Sequence, residues 1–141
     1  MNKRKKTVYL AGPLFTHAEL KYNLELKDML IKKGFSVFLP QKDAEDAAAE
    51  REKQNQEWIF KKCLEGVDNS DIVIAVLDGV DVDSGTAWEI GYAYAMQKPI
   101  IGIRTDFRTL SDGIVNLMIE MSINALARDE DELLKILEKY R

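Results

Sequence analysis

The sequence predicts a single α/β domain, spanning residues 1–141, with a mainly parallel sheet, and three features carry that reading. The run at 72–77 (IVIAVL) is apolar without interruption, the pattern of a strand covered on both faces. Short β-branched and aromatic runs alternate with segments of helical periodicity, joined mostly by short connections. The chain has 141 residues, 46% of them hydrophobic, which falls within the range of one ordinary domain with a sizeable core.

Taken in order, Thr7–Ala11 (TVYLA) reads as a buried strand ended by Gly12-Pro13. In 17–33 the residues Leu20, Leu24, Leu26, Leu30 and Ile31 recur at spacings near three and four, and Gly34 stands where a helix stop is expected. Residues 35–39 (FSVFL) form a second strand closed by Pro40, and 43–62 reads as a loop leading into a helix that ends near Gly66. The apolar run at 72–77 is the central strand. An acidic loop from Asp78 to Asp83 leads through Ser84, Gly85 and Thr86 into a helix over 87–96, and 100–104 is a further strand. Helices are expected over 112–121 and 129–140. In such sheets ligands bind beyond the carboxyl ends of the strands, here the turn 12–15, the pair Pro40-Gln41 and the segment 78–89.

Composition removes several classes of function. A formal charge of −4 and a pI near 5.1 give no general attraction to polyanions; the one basic cluster, Lys3-Arg4-Lys5-Lys6, belongs to an N-terminal stretch read as flexible. That cluster does not open a signal peptide, because the apolar stretch after it is short and broken by Gly12-Pro13; a cytoplasmic protein that binds neither nucleic acid nor membrane is expected. Cys63 and His17 are the only cysteine and histidine, which precludes an internal disulfide and disfavours zinc. No apolar stretch approaches the ~20 residues of a membrane helix.

Glu89 is the most informative residue for chemistry, because nearly every other side chain of its helix is apolar or aromatic. The positions three and four away are Thr86, Gly85, Tyr92 and Ala93, so no cation one turn off explains it. Read as lying in the first turn, Glu89 would gain roughly 0.3–1 kcal/mol for its ionised form from the helix dipole. A partly exposed helix-start glutamate and a functional carboxylate both fit at this point. Asp83, six residues earlier, is either a helix cap or the second of two carboxylates that divide the ionised and proton-bearing roles. The first turn has neither a dinucleotide nor a Walker-type glycine pattern, and it lacks the acidic pair that a receiver domain carries there.

The segments Tyr9-Leu-Ala-Gly-Pro13, Ser70-Asp71-Ile-Val-Ile-Ala-Val and Asp83-Ser-Gly-Thr-Ala-Trp-Glu89-Ile-Gly-Tyr-Ala, in this order and context, resemble the nucleoside 2-deoxyribosyltransferase family. Asn116-Leu117-Met118 resembles the stretch by which one subunit of that family completes its neighbour's site. The resemblance implies a three-layer Rossmann-like or flavodoxin-like fold with about five strands, no metal or organic cofactor, and a homo-oligomer with shared sites. Its substrates would be a 2′-deoxynucleoside and a free purine or pyrimidine base. Glu89 then matches the nucleophile, Tyr9 the hydroxyl that holds it, and Asp83 the acid that handles the base's proton. Asn116, with Met118 beside it, matches the residue lent to the sugar's 5′-hydroxyl. Gly12, Phe15, Gln41, Asp78, Gly85 and Trp88 complete the expected substrate site. Cys63 departs from the resemblance, standing where several members carry an aspartate near the base. A 5′-monophosphate N-glycosidase and a non-catalytic nucleoside-binding module are the competing functions.

Overall fold

The computed structural model describes residues 3–44, 54–111 and 113–141. Five strands, β1 (Thr7–Ala11), β2 (Ser36–Phe38), β3 (Ile72–Val76), β4 (Ile100–Ile103) and β5 (Ala125–Ala127), form one parallel sheet in the order β2-β1-β3-β4-β5. The helices are α1 (His17–Lys32), α2 (Pro40–Asp43), α3 (Gln54–Asn69), α4 (Ser84–Ala95), α5 (Leu117–Ser122) and α6 (Glu130–Leu137), the last running into a 3-10 turn at Glu138–Tyr140.

Because side chains alternate across a strand, β1 sorts its residues between two cores. Val8 and Leu10 pack with Leu26 and Leu30 of α1 and Leu133 and Leu137 of α6. Tyr9 and Ala11 face the other way, with Val67 of α3 and Ile90 and Ala93 of α4. The sheet is therefore the middle of three layers, and all five residues of β3 are buried, as its uninterrupted apolar run requires. This parity puts Tyr9, rather than Val8 or Leu10, under α4.

Local signals fix the ends of α1. Thr16 accepts from the Glu19 backbone N–H at 3.1 Å while the Glu19 carboxylate accepts from the Thr16 N–H at 2.8 Å, a reciprocal capping box. Gly34, at φ +96°, takes the left-handed conformation that closes the helix.

Several boundaries differ from the sequence reading. The strand expected over 35–39 is shorter, because Leu39 and Pro40 open the one-turn α2, with Pro40 at a helix-start position where its missing N–H is harmless. The helix expected to end near Gly66 continues to Asn69; the loop expected ahead of it falls largely on residues 45–53, outside the described residues. Helix α4 begins at Ser84, not near 87, because Asp83 caps it. The helix expected over 112–121 forms only at Leu117–Ser122; residue 112 lies outside the described residues. The sequence does not signal β5: Ala125-Leu-Ala127 has no β-branched residue, and its pairing with β4 makes it a strand.

Arg104, just past β4, is 2% exposed, and its guanidinium is spent on main-chain carbonyls. It donates to the carbonyl oxygens of Leu77, of Gly79 at 3.1 Å and of Arg108 at 2.8 Å. These bonds tie the β3–α4 connection to the loop after β4. Replacing Arg104 with Leu leaves those carbonyls without their donor, and a loss of about 3 kcal/mol in urea denaturation is expected.

Candidate active site

Tyr9 is fully buried, and its hydroxyl donates to Glu89 Oε2 across the gap between β1 and α4. The ring is fixed from two sides. Phe38 stacks on it with centroids 5.3 Å apart and planes 12° from parallel, and α3 passes close by at Gly66. A Cβ at Gly66 would lie 2.9 Å from both the Phe38 and the Tyr9 rings. Gly66 is thus a site of close approach within α3 and not the helix stop its residue type suggested.

Asp83 is the N-cap of α4: its Oδ2 accepts from the Thr86 N–H and the Thr86 hydroxyl, both at 3.0 Å. Gly85 leaves room for that carboxylate, since a Cβ there would come within 3.3 Å of Oδ2. Starting the helix at Ser84 moves Glu89 out of the first turn. The dipole argument is corrected accordingly, because its effect fades beyond that turn. Burial dominates instead and pushes the Glu89 carboxyl up to about 8. The Tyr9 O–H is the one described group that donates to this carboxylate, and it favours the charged form.

Glu89, Asp83, Gly12, Phe15, Gly85 and Trp88 all line one cavity of about 560 Å³. Its far wall is a stripe of α3, Ile59, Phe60, Cys63 and Val67, with Gln56 at one end. Phe60 meets Trp88 edge to face, and Trp88 stacks on Tyr92 at 5.5 Å and 11°. Burial pushes the Cys63 thiol up, so it faces the cavity as a neutral, weakly polar group. Among the described residues no Lys, Arg or His lines this space, and no group of three or more His, Cys, Asp and Glu side chains is placed to hold a metal.

The remaining expected site residues lie elsewhere. Gln41 is buried, with its carbonyl accepting from Asn23 Nδ2 and its amide donating to the Leu20 carbonyl, both at 2.9 Å. Its side chain locks α1 to α2 and does not line the cavity, which corrects its assignment as a base contact. Asp78 accepts from the Thr105 N–H at 2.7 Å, the Thr105 hydroxyl at 2.6 Å and the Asp106 N–H at 2.9 Å, so its carboxylate braces a loop and lies outside the cavity lining. Asn116 caps α5 through the Met118 N–H at 2.9 Å; both residues are exposed and outside the cavity of this protomer. Gln56 and the α3 stripe were missed. Their spacing at 56, 59, 60, 63 and 67 is helical, but the signal is usable only once the helix is known to begin before Gln56.

The family model for nucleoside 2-deoxyribosyltransferase matches residues 8–130. The chain belongs to the nucleoside 2-deoxyribosyltransferase family. The 2-deoxyribosyltransferase of Bacillus psychrosaccharolyticus has the same Rossmann-like fold, with a TM-score of 0.79 and 29% identity over 90% of this chain and 89% of that one. A CMP N-glycosidase from Clostridium botulinum is 27% identical with a TM-score of 0.59, covering 94% of this chain and 99% of that one. An uncharacterized protein of Ureaplasma parvum is 32% identical over 69% of this chain, a match that spans 65% of that protein's length. Among the described residues no helix is long and apolar enough to cross a membrane.

Two outcomes follow from the packing around Glu89. Between pH 4.5 and 8 the unfolded chain has released the Glu89 proton and the folded one retains it, so this group's contribution to stability falls as pH rises through that window. Glu89→Gln keeps the Tyr9 bond without the titration. Its melting temperature should match the parent's near pH 4.5 and exceed it at pH 7.5, by an amount on the order of 2–4 kcal/mol in unfolding free energy. Gly66→Ala should lose about 1–3 kcal/mol in denaturant titration, through contact with the Tyr9 and Phe38 rings, where an exposed helix position would gain from the same change.

Proposed function

We propose that the protein exchanges the base of 2′-deoxyribonucleosides by a retaining double displacement, serving nucleoside salvage in the cytoplasm. The observation that carries this reading is Glu89, held by the buried Tyr9 hydroxyl, lining one apolar cavity together with Asp83.

The chemistry follows from the groups present. The Glu89 carboxylate attacks C1′ on the face opposite the base, the C1′–N bond breaks with its electron pair going to the base, and a proton from Asp83, direct or through water, neutralises the leaving nitrogen. The 2-deoxyribose is then an ester of Glu89. A second base attacks C1′ from the original side, gives its N–H proton back to Asp83 and releases Glu89, so two inversions give net retention. The apolar walls of Trp88, Phe15 and the α3 stripe favour transfer over hydrolysis by keeping water from the ester.

Among the described residues no cation lines the cavity, and the N-terminus of α4 that reaches it is already capped by the Asp83 carboxylate. Both favour a sugar with a free 5′-hydroxyl over a 5′-monophosphate, whose charge would call for Lys, Arg or an uncapped helix N-terminus. A second copy of the chain completes the site in this reading, bringing Asn116 and Met118 to the sugar. An exposed apolar face supports that. Leu117, Met118 and Met121 of α5 and Tyr94 of α4 are each more than half exposed, α5 packs on α4, and Tyr94 and Met121 line one groove.

The test is to incubate the pure protein with 2′-deoxyinosine and free adenine and to follow products by chromatography. Deoxyadenosine should form with the parent and not with Glu89→Ala. Hypoxanthine release without exchange would instead establish a hydrolase, and binding without turnover a nucleoside-binding module. Because Glu89 must be ionised, kcat/KM should climb through neutral pH and level off above about 8. Tyr9→Phe, which removes the hydroxyl that favours the carboxylate, should move that limb to higher pH and lower the rate roughly 10–100-fold.

A further inference from the structure

At the end of the sheet away from Glu89, where β1 and β2 begin, a second groove of about 530 Å³ runs between the segment Lys3 to Lys6 and the α1–β2 turn. It is lined by Lys3, Arg4, Lys5, Lys6, Lys33 and Arg141 over Gly34 and Phe35, and among the described residues no acidic side chain lines it. Six of the chain's twenty Lys and Arg residues thus converge on one concave surface of a protein whose formal charge is −4. Of these six, only Arg4 has a carboxylate within 4.0 Å among the described residues, Asp71 at 2.7 Å.

Three bonds tie the segment beside the groove to the sheet. The Arg4–Asp71 pair holds one side, the Asp71 carboxylate also accepts from the Thr7 N–H at 2.8 Å, and the Lys6 carbonyl accepts from the Ser36 N–H at 2.9 Å. Cations that line one concave surface give it a positive potential, which draws a multiply charged anion more strongly than any one of them would. The volume suits a compact ligand and the cation count suits several negative charges at once.

We propose that this groove binds a small oligophosphate, a run of two or three linked phosphates whose oxygens bridge Lys3, Lys5, Lys6 and Lys33. A concave pocket of this size favours such a compact anion over a nucleic-acid strand, which needs an extended track of cations and stacking faces. The site is separate from the nucleoside cavity and shares no residue with it.

Inorganic tripolyphosphate is the suitable probe, since it carries no base or sugar for the other cavity. Calorimetric titration of the whole chain at about 0.15 M salt should show saturable binding, one anion per chain, that weakens as salt rises. The Lys5→Gln/Lys33→Gln double variant should bind at least about tenfold more weakly. Glu89→Gln should bind as the parent does, which separates the two sites. Absent binding, or binding undiminished in the double variant, would overturn the proposal. So would an oligothymidylate that bound more tightly than tripolyphosphate through the same lysines, which would make the groove a nucleic-acid track.

Discussion

The hydrogen bond from Tyr9 to Glu89 is the constraint around which the rest of the site is arranged. A carboxylate set among apolar side chains resists ionisation, and burial alone carries Glu89 to about 8. One donor, delivered by the sheet and aimed at one oxygen, works against that. For the bond to form, Tyr9 must lie on the α4 side of β1, its ring must not swing, and α3 must pass close enough to hold it. Strand parity meets the first condition, Phe38 the second and the absent side chain of Gly66 the third. Each is a packing feature outside the cavity lining, yet each decides where the carboxylate points.

The parallel sheet contributes in a different way. Every strand leads its chain toward the same end, so the turn after β1 and the acidic loop after β3 arrive side by side although they are far apart in sequence. Gly12 makes this possible, because a Cβ there would press on Val76 Cβ at 3.0 Å. The loop after β3 would be loose if left to itself. Arg104, from the β4 side, grips its carbonyls, and its own Asp78 grips the N–H groups of Thr105 and Asp106 in the loop after β4. Asp78 is thus part of the scaffold on which Asp83 and Glu89 rest.

Much of this was legible in the chain. The β3 run, the alternation of strands and helices, and the out-of-place Glu89 are local signals that needed no tertiary context. What failed did so where a residue type has two uses. Gly66 looks like a stop signal and is a contact; Gln41 looks like a polar group near strand ends and is an internal tie between α1 and α2. The sequence reading puts Glu89 in the first turn because the cap at Asp83 is uncertain there; the structure sets it beyond that turn, and burial rather than the helix dipole decides the direction of its ionisation. Strand β5 was unreadable because Ala125-Leu-Ala127 becomes a strand only when β4 is there to pair with it.

The cap at Asp83 has one more consequence. Thr86 occupies only Oδ2, with two donors, and no described group bonds Oδ1. The cap therefore holds the carboxyl group in one orientation, and in the proposed reaction Oδ1 is the oxygen left to exchange a proton with the base. Purines offer several ring nitrogens to an incoming sugar carbon. A fixed acid contacts only one of them for a given orientation of the ring, so the helix cap would also set the regiochemistry of the new glycosidic bond.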